Sequence, residues 1–452
     1  MLVAGAGGGG LSAALVAADA GLSVLLIDHD QNFRRGCNTY LSTAMIPAAG
    51  TRWQREAGVD DSPQRFREDI RAKTRGDVYE VLVEALTEVG PALVDWLAGD
   101  LEVPLALATD FTYPGHSRHR CHTVPDRSGR SLHAHLVERA GRQPRITLAV
   151  PYGLRSLGIE SGGVRSAVVA AKGGAGETVS TGAVVLATGG FGGNPELVRE
   201  HIPEIAEALY FGSEADRGDG LRIGVEAGAG TGYLDAYQGH GSVASPHGVL
   251  VTWTAVMHGG VIVNSEGRRF EDESPGYSEF ARHVLRQPGR VAWVVIDRRI
   301  DRLCQPFADW DDLVKQGAVN WCQGPAEAAA LIGAHPEVLT ETLEAAGASA
   351  AGAPDSLGRT FWEAPLEPPL GLVRVAGALF HTQGGLLVNS SAQVLRDGRP
   401  IPGLYAAGGA AVGISGHGAG GYLAGNGLLG AFGLGYLAGK ALSAGPQPFG
   451  ER

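Results

Sequence analysis

Cysteine is scarce. Cys37, Cys121, Cys304 and Cys322 are scattered along 452 positions and form no C-x-x-C pair. That argues against a disulfide scaffold and fits a reducing cytoplasm, the expected location. No C-x-x-C-H occurs either, so no c-type haem attachment is expected. No apolar run is long enough to span a bilayer, and no signal peptide is read ahead of the first strand. Basic charge falls short of acidic: Lys and Arg number 37 against 48 Asp and Glu, a net charge of −11. Nucleic acid and anionic membranes are therefore poor partners. No internal repeat or disordered tail is evident.

Glycine is abundant instead. The 69 glycines are about twice the usual share. They follow no G-X-Y period and sit where strands give way to helices. The first thirty residues show why. Met1 to Ala4 read as a short strand, shorter than such strands usually are. Gly5, Gly7 and Gly10 form G-x-G-x-x-G, a small-residue helix runs from Leu11 to Ala20, and Val24 to Ile27 read as a second strand ending in Asp28. Glycines let the backbone approach a pyrophosphate, the helix N-terminus offers N–H donors, and the acid accepts from a ribose hydroxyl. This is a dinucleotide site.

Further along, helices are expected over 51–58, 62–74, 78–97 and 132–140, with a polar loop over 109–130. Residues 156–159, 164–171 and 178–180 read as a β-meander. Ala183 to Ala187 read as a buried parallel strand closed by Thr188-Gly189-Gly190. Gly403 to Gly409 repeats that pattern, and the stretch 403–439 holds 14 glycines. Glycine-rich turns at both ends of the chain point to one large cofactor touched by distant segments, which suits FAD better than NAD. Between 235 and 381 the texture changes. Strands are expected at 261–264 and 291–296, and helices at 278–286 and 325–346. The fold class is α/β. A Rossmann-like FAD-binding domain, with a central parallel sheet and β-meander, spans 1–234 and 382–452. An inserted α+β cap domain spans 235–381.

These motifs resemble one family. The stretches 50–58, Val184 to Asn194, Gly218-Asp219-Gly220, Val263 to Phe270, His381 to Gly385 and 403–439 are similar, in order, to the FAD-binding flavoproteins of the fumarate reductase and succinate dehydrogenase group. That group includes 3-ketosteroid dehydrogenases and urocanate reductase. The resemblance implies flavin contacts at Gly5, Gly7, Gly10, Asp28, Gly36, Asn38, Thr39, Thr188, Gly189, Asp219, Gly408, Asn426 and Leu428. Cys37 departs from the glycine usual at its position. The family's covalent link is generally to a histidine that is not found here, so FAD is expected to be non-covalent. Fumarate reductases hold carboxylates with two histidines and arginines. The histidines are retained as His240 and His381. Positions of a carboxylate-binding Glu and Arg hold Trp253 and Val256, and two further arginine positions hold Tyr277 and Tyr422. A dianionic substrate would lose its charge partners, and an unpaired buried carboxylate is costly.

The segment around Tyr277 is similar to the P-Y-x-x-F of the ketosteroid dehydrogenases, whose tyrosine is the base. Tyr422 with Gly425 is placed to hold a substrate carbonyl, with spacing one residue off. The implied reaction is α,β-dehydrogenation of a largely apolar, cyclic ketone: a proton to Tyr277, a hydride to the flavin. Tyrosine ionises near pH 10, so a base needs a positive field, from a helix N-terminus or from Arg268 or Arg282. Run in reverse, the same parts make an ene-reductase of an enoate or enone. A third reading is a flavin-binding partner protein without catalysis. Either enzyme needs a small-molecule substrate and an external electron acceptor or donor. His116, His119, His122, His133 and His135 cluster in sequence, but their spacing matches no zinc site and arginines interrupt them, so no metal is expected.

Overall fold

A computed structural model describes residues 1–445. The chain divides into two compact units. The first comprises Met1–Ile202, Gly212–Tyr237 and the chain from His381 onward; the second comprises Pro203–Phe211 and Gln238–Phe380.

At the centre of the first unit is a six-stranded sheet. Its order is Gln393–Arg396, Arg399–Ala406, Val184–Leu186, Leu2–Ala4, Val24–Ile27, Ile146–Ala149. Five strands are parallel, and Gln393–Arg396 closes one edge antiparallel. Leu2 pairs with both Leu25 and Val184. The inner strands LVA and VVL are buried on both faces, so their side chains run apolar without alternation. The turn from the first strand into helix Gly8–Asp19 is tight. A Cβ on Gly10 would lie 1.8 Å from the Gly5 carbonyl oxygen, and Gly5 itself takes φ +107°. Helix Asn426–Ser443 packs on the fingerprint helix through small residues: a Cβ on Gly435 would meet the Gly9 carbonyl at 2.2 Å.

Most expected elements appear. The expected helix over 51–58 is Arg52–Glu56, held by a capping box between Thr51 and Gln54. Pro63–Thr74 starts at Ser62, whose hydroxyl accepts the Arg65 N–H. The meander is Gly153–Glu160, Gly163–Ala170 and Glu177–Ser180.

Two readings need correction. Residues 109–130 are not all loop. Cys121–Thr123 is a buried strand between Ile46–Pro47 and Ala106–Leu107. Its charged neighbour Arg120 is buried because Asp61 and Asp69 pair with it at 3.0 and 2.6 Å. The single helix expected over 325–346 is two, Pro325–Ile332 and Pro336–Ala350. Gly333 ends the first in a left-handed conformation, and Pro336 opens the second.

The second unit is built on a mixed sheet with the backbone order Val249–Leu250, Tyr237–Ala244, Leu370–Thr382, Val291–Ile296, Val261–Val263. One apolar core lies around Val294, Val373, Phe280, Trp253 and Trp310, and a second around Val263, Val295, Leu339 and Leu372.

Candidate active site

In the first unit several of the expected cofactor residues lie near the fingerprint turn. The Asp28 carboxylate accepts the Ala6 N–H at 2.8 Å and the Asp30 N–H at 2.9 Å. Burial raises its pKa, against those two N–H donors. The Thr39 hydroxyl accepts the Gly8 N–H at 2.9 Å. His133 bonds the Ala6 carbonyl through Nε2 at 2.8 Å. Thr188 accepts the Gly220 N–H at 2.9 Å, tying the T-G-G turn to the helix that begins at Asp219. Asp219 itself is half-exposed, 3.9 Å from Arg222. Gly36 ends a short helix against Asp30, Gly7 has little around it, and Gly408 takes φ +63°. Burial pushes the Cys37 thiol up to about 12, so it stays protonated.

Asn38 makes a link that the sequence did not show. Its amide donates to Asp216 at 2.6 Å, and its carbonyl accepts the Ser213 N–H at 2.7 Å. Asp216 is buried against Gly189, where a Cβ would sit 2.0 Å from its Oδ1. Burial pushes the Asp216 carboxyl up to about 7; the Gly190 N–H and Asn38 oppose this, and the Asp28 charge adds to it. An unfolded aspartate loses its proton near pH 4. Between about pH 4 and pH 7 the folded state therefore holds a proton that the unfolded chain lacks, and stability falls as pH rises, by about 1.4 kcal/mol per unit. Above about pH 7 the slope ends. Urea midpoints of flavin-free protein across this range should show that fall, and Asp216→Asn should flatten it relative to wild type. Parallel curves for the two proteins would refute the assignment.

At the other end of the first unit, Gly425 takes φ +85° and opens the C-terminal helix at Asn426. Asn426 is 1% exposed, yet neither its Oδ1 nor its Nδ2 has a partner. A buried amide in that state calls for a ligand with both donor and acceptor edges. Leu428 is buried one position past Gly427. A Cβ on Gly427 would lie 2.8 Å from His381 Nε2 and 3.5 Å from the Tyr422 hydroxyl. That hydroxyl accepts the Gly427 N–H at 3.4 Å, and burial raises its pKa well above the usual tyrosine range. Ser415 donates to Gln383 Oε1, which turns the Gln383 amide N–H toward His381 Nδ1 at 3.1 Å. His381 Nδ1 also lies 3.3 Å from the Thr382 carbonyl oxygen. Burial holds this histidine down to about 4, so it is neutral.

The second unit holds a different cluster. Tyr277 is the first residue of helix Tyr277–Leu285, where the helix dipole favours negative charge. Its ring stacks on His240 at 4.7 Å and 18°, and His240 stacks in turn on Phe380 at 5.1 Å. Trp253 meets His240 and Tyr277 edge-on, at 5.8 and 6.2 Å. Ser278 accepts the Gly239 N–H at 3.1 Å, which fixes the helix start beside the His240 strand. Burial holds His240 down to about 3. Its Nδ1 accepts the Ser242 N–H at 3.2 Å, so Nε2 carries the proton. Of the arginines expected to lend a field, Arg268 is exposed and Arg282 faces Glu204 at 3.7 Å.

An ion cluster fixes the segments that carry these rings. Arg359 donates to the Val256 carbonyl at 2.7 Å and the Gly260 carbonyl at 2.9 Å, and meets Glu273 at 3.4 Å. Glu273 also receives Arg269 and the Ile262 N–H. Val256 closes the turn on Trp253, and Glu273 stands four residues before Tyr277.

The histidines of 116–135 serve the fold. His116 bonds the Ala424 carbonyl, His122 the Thr51 hydroxyl and His135 the Leu101 carbonyl. Among the described residues no group of three or more His, Cys, Asp or Glu is placed to hold a metal ion. Nor is any helix among them long and apolar enough to cross a membrane.

Fold and site together fit a flavoprotein: a glycine cradle, a partly buried acid at the end of the second strand, and an orphaned amide at a helix start. The chain belongs to the FAD binding domain family, which it matches over residues 1–428. It is 31% identical to the NADH:fumarate oxidoreductase of Klebsiella pneumoniae (strain 342), over 97% of this chain and 47% of that protein, and so spans about half of that relative's length. It is 27% identical to the 4-oxocyclohexanecarboxylate 2-dehydrogenase of Sinomonas cyclohexanicum, covering 98% and 92% of the two chains. The open conformation of a flavocytochrome c3 fumarate reductase superposes with a TM-score of 0.80 at 28% identity, covering 98% of this chain and 78% of that one.

Proposed function

We propose that this chain is an FAD-dependent oxidoreductase acting on a CH–CH bond beside a carbonyl, with a largely apolar, cyclic ketone as substrate. The observation that carries this reading is the uncharged cluster of His240, Tyr277, Trp253 and Phe380. Burial keeps both His240 and His381 neutral. Neither offers the positive charge that a buried dicarboxylate needs. The Sinomonas relative, whose name denotes a cyclic ketone, supports the substrate class.

FAD is held non-covalently in this reading, by the fingerprint turn, Asp28, Thr39, the T-G-G turn and Asn426. Bound, it supplies the hydride acceptor. Tyr277 takes the proton from the neighbouring carbon, helped by its place at a helix start. Tyr422, with the backbone at Gly425 and with His381, polarises the carbonyl. An external electron acceptor completes the cycle. The fumarate-type relatives favour a second reading, in which the same groups run backwards: Tyr277 donates the proton to an enoate or enone, and an external donor supplies electrons.

Anaerobic mixing decides between the two. FAD-loaded protein mixed with cyclohexanone should bleach the flavin absorbance. Photoreduced protein should be reoxidised by 2-cyclohexenone and not by fumarate. Reoxidation by fumarate without any bleaching by ketones would replace the first reading with the second.

A further inference from the structure

We propose that the Trp253 indole N–H is a specificity-determining donor that meets a second uncharged oxygen of the substrate, distinct from the carbonyl that Tyr422 polarises. The assignment rests on the reading of a neutral ketone given above. Its geometric basis lies wholly within the second unit. Trp253 is 5% exposed, and its Nε1 has no hydrogen-bond partner. Two other indoles of that unit are served: Trp310 donates to Asp301 at 3.0 Å, and Trp362 to the Arg359 carbonyl at 3.2 Å. A buried donor left unpaired lowers stability, so an orphan among rings marks a place for an acceptor.

The neighbours specify which acceptor. Trp253 stands edge-on to His240 and Tyr277. His240 is neutral, and its Nδ1 already accepts from Ser242, which leaves Nε2–H as a second neutral donor in the same cluster. Two uncharged N–H groups among aromatic faces match a ketone or ester oxygen. A carboxylate there would be desolvated without a cation. The indole thus selects for oxygen in a neutral group, and the surrounding rings select for an apolar skeleton.

The test uses two ketones of one shape, 1,4-cyclohexanedione and 4-methylenecyclohexanone, titrated calorimetrically into FAD-loaded protein. Both keep the reacting carbonyl, and only the first carries a second oxygen. Wild type should prefer the dione. Trp253→Phe keeps an aromatic ring and removes the donor, and should reduce that preference about tenfold, the worth of one neutral hydrogen bond. The KM for 1,4-cyclohexanedione should rise in the same proportion while kcat holds. A second measurement needs no variant. In wild type labelled with 15N-tryptophan, the Trp253 indole proton should move downfield with 1,4-cyclohexanedione and not with 4-methylenecyclohexanone. An unchanged preference in Trp253→Phe, or an unmoved indole proton, would overturn the assignment and leave the N–H resting on the ring faces of its neighbours. Flavin bleaching in the same samples separates the two proposals. Bleaching by both ketones with unchanged selectivity sinks the indole's role alone. Selective binding of the dione without bleaching by either sinks the reaction alone.

Discussion

Tyr277→Phe should lower the rate of flavin bleaching by a saturated cyclic ketone by about 10²- to 10⁴-fold, the usual contribution of a positioned acid or base. The substitution removes one oxygen and keeps the ring. The stack on His240 and the edge contact with Trp253 are ring contacts, so the fold of the cluster should survive. FAD content should be unchanged, because the cofactor residues belong to the first unit. Ketone affinity should change little, since the hydroxyl acts on the α-carbon and its loss falls on the chemical step. Stopped-flow traces of wild type and variant over a range of ketone concentrations would show the lost rate and the retained affinity. A variant that bleaches at the wild-type rate would remove Tyr277 from the chemistry and return it to packing.

How far the sequence could be read depended on how far apart the partners lie. The fingerprint was plain because its demands are local: Gly10 must admit the Gly5 carbonyl within a single turn. Helix starts at Thr51 and Ser62 were plain for the same reason, since a cap and its N–H donor are three residues apart. Gly333 and Pro336 were visible, yet alanine-rich helical character on both sides masked the break between two helices. Strand Cys121–Thr123 stayed hidden because its polar flank signals loop until Asp61 and Asp69 are seen on Arg120. The Asn38–Asp216 pair spans 178 residues, and Arg359–Glu273 spans 86. Neither carries a local pattern. The pairing of His240 with Tyr277 came only through the family resemblance, which could mark both positions but could not show that their rings stack.

Loss of Arg359 should cost the second unit heavily. It is 4% exposed overall, and its guanidinium joins two backbone carbonyls to Glu273, itself fully buried. Arg359→Leu leaves Glu273 with Arg269 as its cation and removes the guanidinium donor from the Val256 and Gly260 carbonyls. Breaking a buried pair in this way costs about 3–5 kcal/mol, far more than an exposed ion pair. Trp362 also loses the nearer of two cations over its ring, Arg359 at 4.1 Å, and keeps Arg269 at 5.0 Å. The expected signature is regional. Amide exchange should accelerate over residues 253–263 and 269–277, where the freed carbonyls and Glu273 lie, and stay at wild-type rates in the fingerprint helix Gly8–Asp19. FAD should remain bound, because none of its proposed ligands touches this network. Ketone turnover should fall nonetheless, because Trp253 and Tyr277 both sit at the ends of segments that Arg359 ties down. Uniform acceleration across both units would mean that Arg359 contributes only to global stability; acceleration confined to the second unit, with flavin retained and turnover lost, would make it the positioning residue of the aromatic cluster.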